Sequence, residues 1–303
     1  MNPYILMILV VVMYSGNILV GKFINELSPF TIAFFRLLIA FVVLFPIGFH
    51  SAWKHRSTFL KYKKPLLLMT LTGVTFFNTF IYGALQFTTA SNVAVLETVI
   101  PALTVVLSAL LLKERLQGIQ WSGVLISIIG AVWVVIDGKI TNFLLMNWNV
   151  GDVLMIGAII CWAIYSIVVK QYIHLFPPFG SILVMTGISV FVLLPFVLIE
   201  WFITGLPVLA ATPSYVMSLL FMGIFPSFIA LIFFNRAVAS LGASQASVFL
   251  NLLPVFTMLG AYLWLGESIS VMQIIGALIV ILGVMLTTQV SSMQSKNEKV
   301  LES

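Results

Sequence analysis

The sequence predicts an all-α integral membrane protein of ten transmembrane helices, arranged as two inverted five-helix repeats with both termini in the cytoplasm. Three observations lead there. Of 303 residues, 61% are hydrophobic and only 8% charged, whereas a soluble domain carries about a quarter charged residues. Too few charges exist to coat a water-facing surface, so lipid is the solvent for most of the chain. The apolar residues also fall into ten continuous runs, each close to the ~20 residues a helix needs to cross the hydrocarbon core. Finally, Lys and Arg collect in alternate loops, which is the positive-inside bias of membrane proteins.

The runs cover 4–21, 30–49, 65–86, 91–112, 119–136, 152–170, 179–200, 215–235, 243–265 and 271–289. They are continuously apolar rather than alternating, which excludes the strands of a membrane barrel. The first run has no basic leader and continues to about Val20, so it reads as a membrane helix and not a cleaved signal peptide. The second loop carries Lys54, Arg56, Lys61, Lys63 and Lys64. Placing that loop in the cytoplasm puts the N-terminus inside. Lys113, Arg115, Lys170, Arg236, Lys296 and Lys299 then fall inside as well, and only Lys22 and Lys139 fall outside. Outside loops carry Glu26, Asp137, Asp152, Glu200 and Glu267 instead. This charge distribution explains the net charge of +5 without a nucleic-acid surface. Trp53, Trp148 and Trp201 lie near span ends, as interfacial anchors do.

The two halves resemble each other. Pro101 precedes Glu114 by thirteen residues, and Pro254 precedes Glu267 by the same number. That offset places Gly123 and Gly130 on Gly276 and Gly283, and Ala90-Ser91 on Ala243-Ser244. Lys22 and Pro29 match Lys170 and Pro177 with a slightly shorter offset. Each copy has five spans, an odd number, so the second must sit upside down in the membrane. The expected division is a first repeat over 1–138, an external linker over 139–151, a second repeat over 152–289 and a disordered cytoplasmic tail over 290–303. Inverted repeats are a recurring architecture of secondary transporters, with the substrate site near the midplane.

Ser28-Pro29 followed by Arg36, and the Pro-to-Glu segments ending Lys113-Glu114-Arg115-Leu116 and Gly266-Glu267-Ser268-Ile269, resemble the drug/metabolite transporter superfamily, EamA type. The likeness covers nearly the whole chain. It implies a secondary carrier of amino acids, related metabolites or drugs, often working outward, in the cytoplasmic membrane of a bacterium. It also implies a central cavity lined by the first, third, fourth, sixth, eighth and ninth spans. Arg36 matches the pattern in the first half only, because the equivalent region around Val184 is apolar.

Arg36 and Glu97 are the two charges well inside spans. A charge at the bilayer centre costs about 2.5–3.5 kcal/mol on insertion scales, so such residues face a cavity or a partner. The expectation is an ion pair between them. It would either lock two spans together or let Glu97 exchange protons or bind a substrate amine. Glu97, Pro101, Thr104 and Ser108 share one helix face, as do Ser247, Asn251, Pro254 and Met258, and as do Asn78, Tyr82 and Gln86. Tyr14 and Asn17 in the first span have Trp162 and Tyr165 as counterparts in the sixth. Amides suit a zwitterionic solute, and aromatic faces suit a cation or an apolar side chain. The same residues could equally serve interhelical hydrogen bonding and packing. The candidate lining is therefore Tyr14, Asn17, Asn78, Tyr82, Glu97, Pro101, Trp162, Tyr165, Ser247, Asn251 and Pro254. The paired glycines of the fifth and tenth spans allow close helix approach, with a homodimer contact as one use.

Other chemistry is excluded. A single cysteine, Cys161, makes neither a disulfide nor a thiolate zinc site. The histidines, His50, His55 and His174, lie in loops and form no metal site. Gly16 to Phe23 approaches a phosphate-binding loop but ends on Phe23 where Ser or Thr is needed, and no strand precedes it. An intramembrane enzyme needs clustered nucleophiles, acids or histidines within spans, and one internal acid does not supply them. The expected function is export of amino acids or related small metabolites, with multidrug efflux or other solute transport as the alternative. No cofactor is expected beyond a coupled proton, and the expected partners are a small-molecule substrate and the lipid bilayer.

Overall fold

The first helix starts where its sequence supplies a start signal. Asn2 accepts a hydrogen bond from the Tyr4 amide at 2.9 Å, and Pro3 fills the first turn, which needs no amide proton there. In the computed structural model, residues 2–87, 93, 96–113, 117–136, 138–139, 141, 149–207, 213–265 and 270–301 are described. Among them every regular element is helical. The order is α1 (Pro3–Phe23), α2 (Pro29–Lys54), a short α3 (Arg56–Lys61), α4 (Lys63–Phe87), α5 (Val99–Leu112), α6 (Gly118–Val135), α7 (Val150–Tyr172), α8 (Pro178–Thr204) and α9 (Pro213–Leu241). Then come α10, made of Ala243–Val248, a 3-10 turn Phe249–Leu252 and Leu253–Leu265, and α11 (Val271–Leu301).

Among the described residues seven helices are long and apolar enough to cross a membrane, and Val99–Leu112, Gly118–Val134 and Val271–Thr287 are shorter apolar helices. Glu114, Arg115, Asp137, Trp148, Glu267 and the Ala90-Ser91 pair lie outside the described residues. Two stretches outside the apolar runs carry helix. The basic second loop contains α3, held because Phe59 is buried and stacks on Phe176 at 5.2 Å while Arg56 lies over Trp53. The tail expected to be disordered continues α11 to Leu301. No Gly or Pro interrupts it after Gly283, and Met, Gln, Lys and Glu are adequate helix formers.

The helices pack in a pattern that survives exchange of the two halves. Helix α2 lies against α8 and α6 against α11, each helix against its own counterpart. Helix α1 contacts α9 and α10, as α7 contacts α4 and α5. Lipid tails are as apolar as Leu, so association rests on close packing and interhelical hydrogen bonds. Both are visible here. A Cβ on Gly123 would lie 2.7 Å from the Gly283 carbonyl, and one on Gly276 would lie 3.1 Å from the Gly130 carbonyl. The glycine faces are thus consumed within the chain, where α6 crosses α11, and are not free for the homodimer contact considered above.

Between α2 and α8, Phe30 stacks on Phe196 at 5.3 Å. Glu200 then does what the N-cap side chain of Ser28 does not. It accepts from the amides of Phe30 at 3.2 Å and Thr31 at 2.8 Å, and from the Thr31 hydroxyl at 2.7 Å. Trp201 adds its indole N–H to Thr31 at 2.9 Å, so beyond any interfacial role it also binds the start of α2.

Candidate functional site

Two helices that approach the centre are interrupted by π turns, Thr70–Phe76 in α4 and Phe225–Ile229 in α9. Such bulges shift the side-chain register and are frequent at functional sites. In α9 the cause is local. Pro226 has no amide proton to give to the Met222 carbonyl four residues earlier. Ser227 supplies the missing donor through its hydroxyl at 2.7 Å. That leaves the Ser227 oxygen pointing inward as an acceptor.

Arg36 uses it. Its Nε donates to Ser227 at 2.7 Å, and its Nη1 to Asn78 at 2.8 Å, to Asn17 at 3.2 Å and to the Tyr82 hydroxyl. Tyr82 in turn donates to Asn17 at 2.9 Å. Arg36 is 2% exposed, and one guanidinium therefore ties α2 to α1, α4 and α9. Every acceptor is neutral. The positive charge is solvated by dipoles through Nε and Nη1.

The expected Arg36–Glu97 ion pair is not formed in this conformation. Neutral acceptors on three neighbouring helices already occupy the guanidinium. Glu97, just before α5, is 4% exposed, and its Oε2 is buried with no hydrogen-bond partner. Both residues nevertheless line one central cavity of about 30 Å³. Its walls include Tyr14 and Asn17 from α1, Phe77 and Asn78 from α4, Trp162 from α7, Ser227 and Leu231 from α9, and Leu250 and Leu253 from α10. Below it Trp162 packs against Phe77 at 4.3 Å, Phe234 at 4.8 Å, Tyr165 at 5.2 Å and edge-on against Tyr14 at 5.6 Å. The indole Nε1 is buried without a partner.

Tyr14, Asn17, Asn78, Glu97 and Trp162 thus line the cavity, and Tyr82 reaches it through Arg36. Pro101, Tyr165, Ser247, Asn251 and Pro254 do not. The ninth span departs from a single α-helical register because Phe249–Leu252 is a 3-10 turn, with three residues per turn in place of 3.6. Leu250 and Leu253 consequently face the cavity, while Asn251 turns toward α6 and donates to Ser127 at 2.8 Å. Ser247 bonds the Ser244 carbonyl of its own helix, and Tyr165 donates to Asn235 at 2.6 Å. Ser227 was missed by sequence reasoning. Its signal was the Phe225-Pro226-Ser227 run inside an apolar span. Among the described residues no three His, Cys, Asp or Glu side chains converge as a metal site would require.

Comparison with known proteins adds the following. The model of the EamA-like transporter family matches residues 1–136 and again 149–289. The chain is similar to the transporter YyaM of Bacillus subtilis, 27% identical over 99% of this chain and 97% of that one. It is also similar to a transporter of Archaeoglobus fulgidus, 29% identical over 95% and 97% of the two chains. A protein of Streptantibioticus cattleyicolor named as a probable terminal-alkyne amino-acid exporter is 27% identical over 65% of this chain and 63% of its own. A solved crystal structure superposes with a TM-score of 0.76 at 17% identity, covering 96% of this chain and 98% of the other. At that identity the likeness is one of fold alone.

Proposed function

The chain belongs to the EamA-like transporter family, and from that premise we propose that it exports amino acids or related small metabolites by alternating access through the central cavity. Family membership makes it an integral transporter of the plasma membrane rather than an enzyme. The observation that carries the finer reading is a pair of unmatched charges in one cavity. The Oε2 of Glu97 has no partner, and the hydrogen bonds of the Arg36 guanidinium go to neutral dipoles. A zwitterion supplies both complements, its ammonium to Glu97 and its carboxylate to Arg36. The rings of Tyr14, Phe77 and Trp162 suit an apolar side chain or an added cation–π contact. The amino-acid exporter among the relatives favours the same class.

Ten crossings with both termini inside, as two inverted repeats, are the topology on which this reading rests. The two separate family matches, the exchange-symmetric packing and the basic cytoplasmic loops favour it. In the empty carrier Glu97 takes a proton in place of the substrate ammonium, which would couple export to proton entry. The aromatic walls favour multidrug efflux as a second reading. Comparing metabolites in the medium of cells carrying wild type, empty vector or Glu97→Gln separates these. Enrichment of amino acids by wild type over empty vector, with the pH dependence of export lost in Glu97→Gln, is the expected result. An unchanged pH profile in Glu97→Gln removes the proton role, and resistance to cationic dyes without amino-acid export selects the second reading.

A further inference from the structure

The two halves close their matching ends differently. In the first, the Tyr82 hydroxyl of α4 donates to Asn17 of α1 at 2.9 Å, and Lys22 reaches the Leu85 carbonyl at 3.5 Å. In the second, the Tyr165 hydroxyl of α7 donates to Asn235 of α9 at 2.6 Å, and Lys170 reaches the Ala239 carbonyl at 3.1 Å. These are the same bonds with Tyr and Asn exchanged between the helices. One turn beyond Tyr82 stands Gln86, whose amide donates to the carbonyls of Asn25 at 2.7 Å and Leu27 at 3.3 Å. Its side chain fills that end. One turn beyond Asn235 stands Ala239, whose methyl group is too small to fill the corresponding space.

A vestibule of about 240 Å³ occupies that space. Among its walls are Asn235, Arg236, Ala239, His174 and Ser181, and no carboxylate. Asn235 is 5% exposed and lines it. Tyr165, bonded to Asn235, packs on Trp162 and closely against Gly73, both of which line the central cavity. The Tyr165–Asn235 pair therefore stands between the vestibule and the cavity.

We propose that the vestibule is the antechamber through which solute reaches the cavity, that Arg236 and Asn235 receive its carboxylate there, and that the Tyr165–Asn235 bond is the bar that opens. The planar guanidinium matches a carboxylate fork, and the positive charges of Arg236 and Lys170 raise the local concentration of anions. This rests on the carrier reading above and adds an entry site to it. The phosphate of a lipid headgroup offers the same anionic oxygens, so the test must separate the two sources.

The test uses the full chain in neutral phosphatidylcholine vesicles, with Cys161→Ala as background and Ala239→Cys as reporter of maleimide labelling. Sodium acetate is expected to slow labelling severalfold relative to sodium chloride at the same ionic strength, with acetamide inert. Arg236→Gln should abolish that protection, and Arg236→Lys should keep part of it. Labelling already slow in phosphatidylglycerol vesicles, and released by Arg236→Gln, would assign the anion site to lipid and overturn the solute entry role. No acetate effect in either vesicle overturns the anion site altogether. For the bar, Tyr165→Phe should speed labelling of Ile81→Cys inside the cavity severalfold, while Tyr82→Phe should not. Equal rates overturn it. Labelling needs no turnover, so these outcomes stay distinct from a failure of transport itself.

Discussion

Replacing Arg36 by Met tests whether the buried guanidinium is kept for stability or for transport. Two opposing terms can be set down. Interhelical hydrogen bonds in membrane proteins average ~0.6 kcal/mol each. The three protons on Nε and Nη1 of Arg36 are shared among four acceptors, so its network contributes roughly 2 kcal/mol to helix association at that average. Against this, an Arg at mid-membrane costs about 2.5–3.5 kcal/mol to insert. The terms nearly cancel over the whole path from ribosome to folded protein. Met retains length and packing, which keeps a cavity term small. Arg36→Met should therefore reach the membrane in at least wild-type amount, and its thermal midpoint in detergent should fall by no more than the association term. Export per folded molecule should be lost, because no anion partner remains opposite Glu97. Arg36→Lys keeps the charge but not the fork, and should export weakly. Full export by Arg36→Met at equal folded protein would refute the reasoning and leave Arg36 as a clamp between helices.

Gly283→Ala places a methyl 2.7 Å from the Gly123 carbonyl, 0.7 Å inside ordinary contact at 3.4 Å, and both partners there are backbone. The helices must part, at a cost of about 1–3 kcal/mol, read as a lower thermal midpoint with oligomeric state unchanged by light scattering. A changed oligomeric state at an unchanged midpoint would move the glycine contact to an intermolecular interface. Glu200→Ala removes three hydrogen bonds at the start of α2, and loss of a helix cap costs ~0.5–2 kcal/mol. Faster proteolysis at that end of α2 should report it, and Glu200→Gln should recover part, since an amide oxygen still accepts.

The all-helical membrane character was legible because a continuous apolar run has one reading at this length. The face Asn78–Tyr82 was legible too, since both sit on an unbroken helix beyond the π turn of α4. What failed lay where the α-helical period fails. Sequence periodicity assumed 3.6 residues per turn through the ninth span, and the 3-10 turn at Phe249–Leu252 carried Asn251 to α6. Ser227 was illegible for the same reason, as its inward direction follows from the proline-induced π turn at Pro226. Arg36 bonds to neutral acceptors in this conformation for a chemical reason. A lone acid invites an ion pair on paper, but four neutral oxygens on neighbouring helices can solvate a guanidinium as fully. Helix α3 escaped because its hold depends on Phe176, more than a hundred residues away.

The cavity's size bears on how the protein must work. About 30 Å³ holds on the order of two waters, whereas a site for a small organic ligand usually measures ~300–1,000 Å³. On the carrier reading the walls must part before a solute binds, and the structure indicates which can. Helices α2 with α8 and α6 with α11 pack on extended faces, the second through glycine backbones. The non-α turns fall instead in α4, α5, α9 and α10. All four approach the cavity, and their residues can change register by breaking one or two backbone bonds. Arg36 bonds across that division, from the α2 frame to α4 and α9 at once. A substrate carboxylate that competes for the guanidinium would loosen both helices together, which gives binding a direct means of starting the exchange.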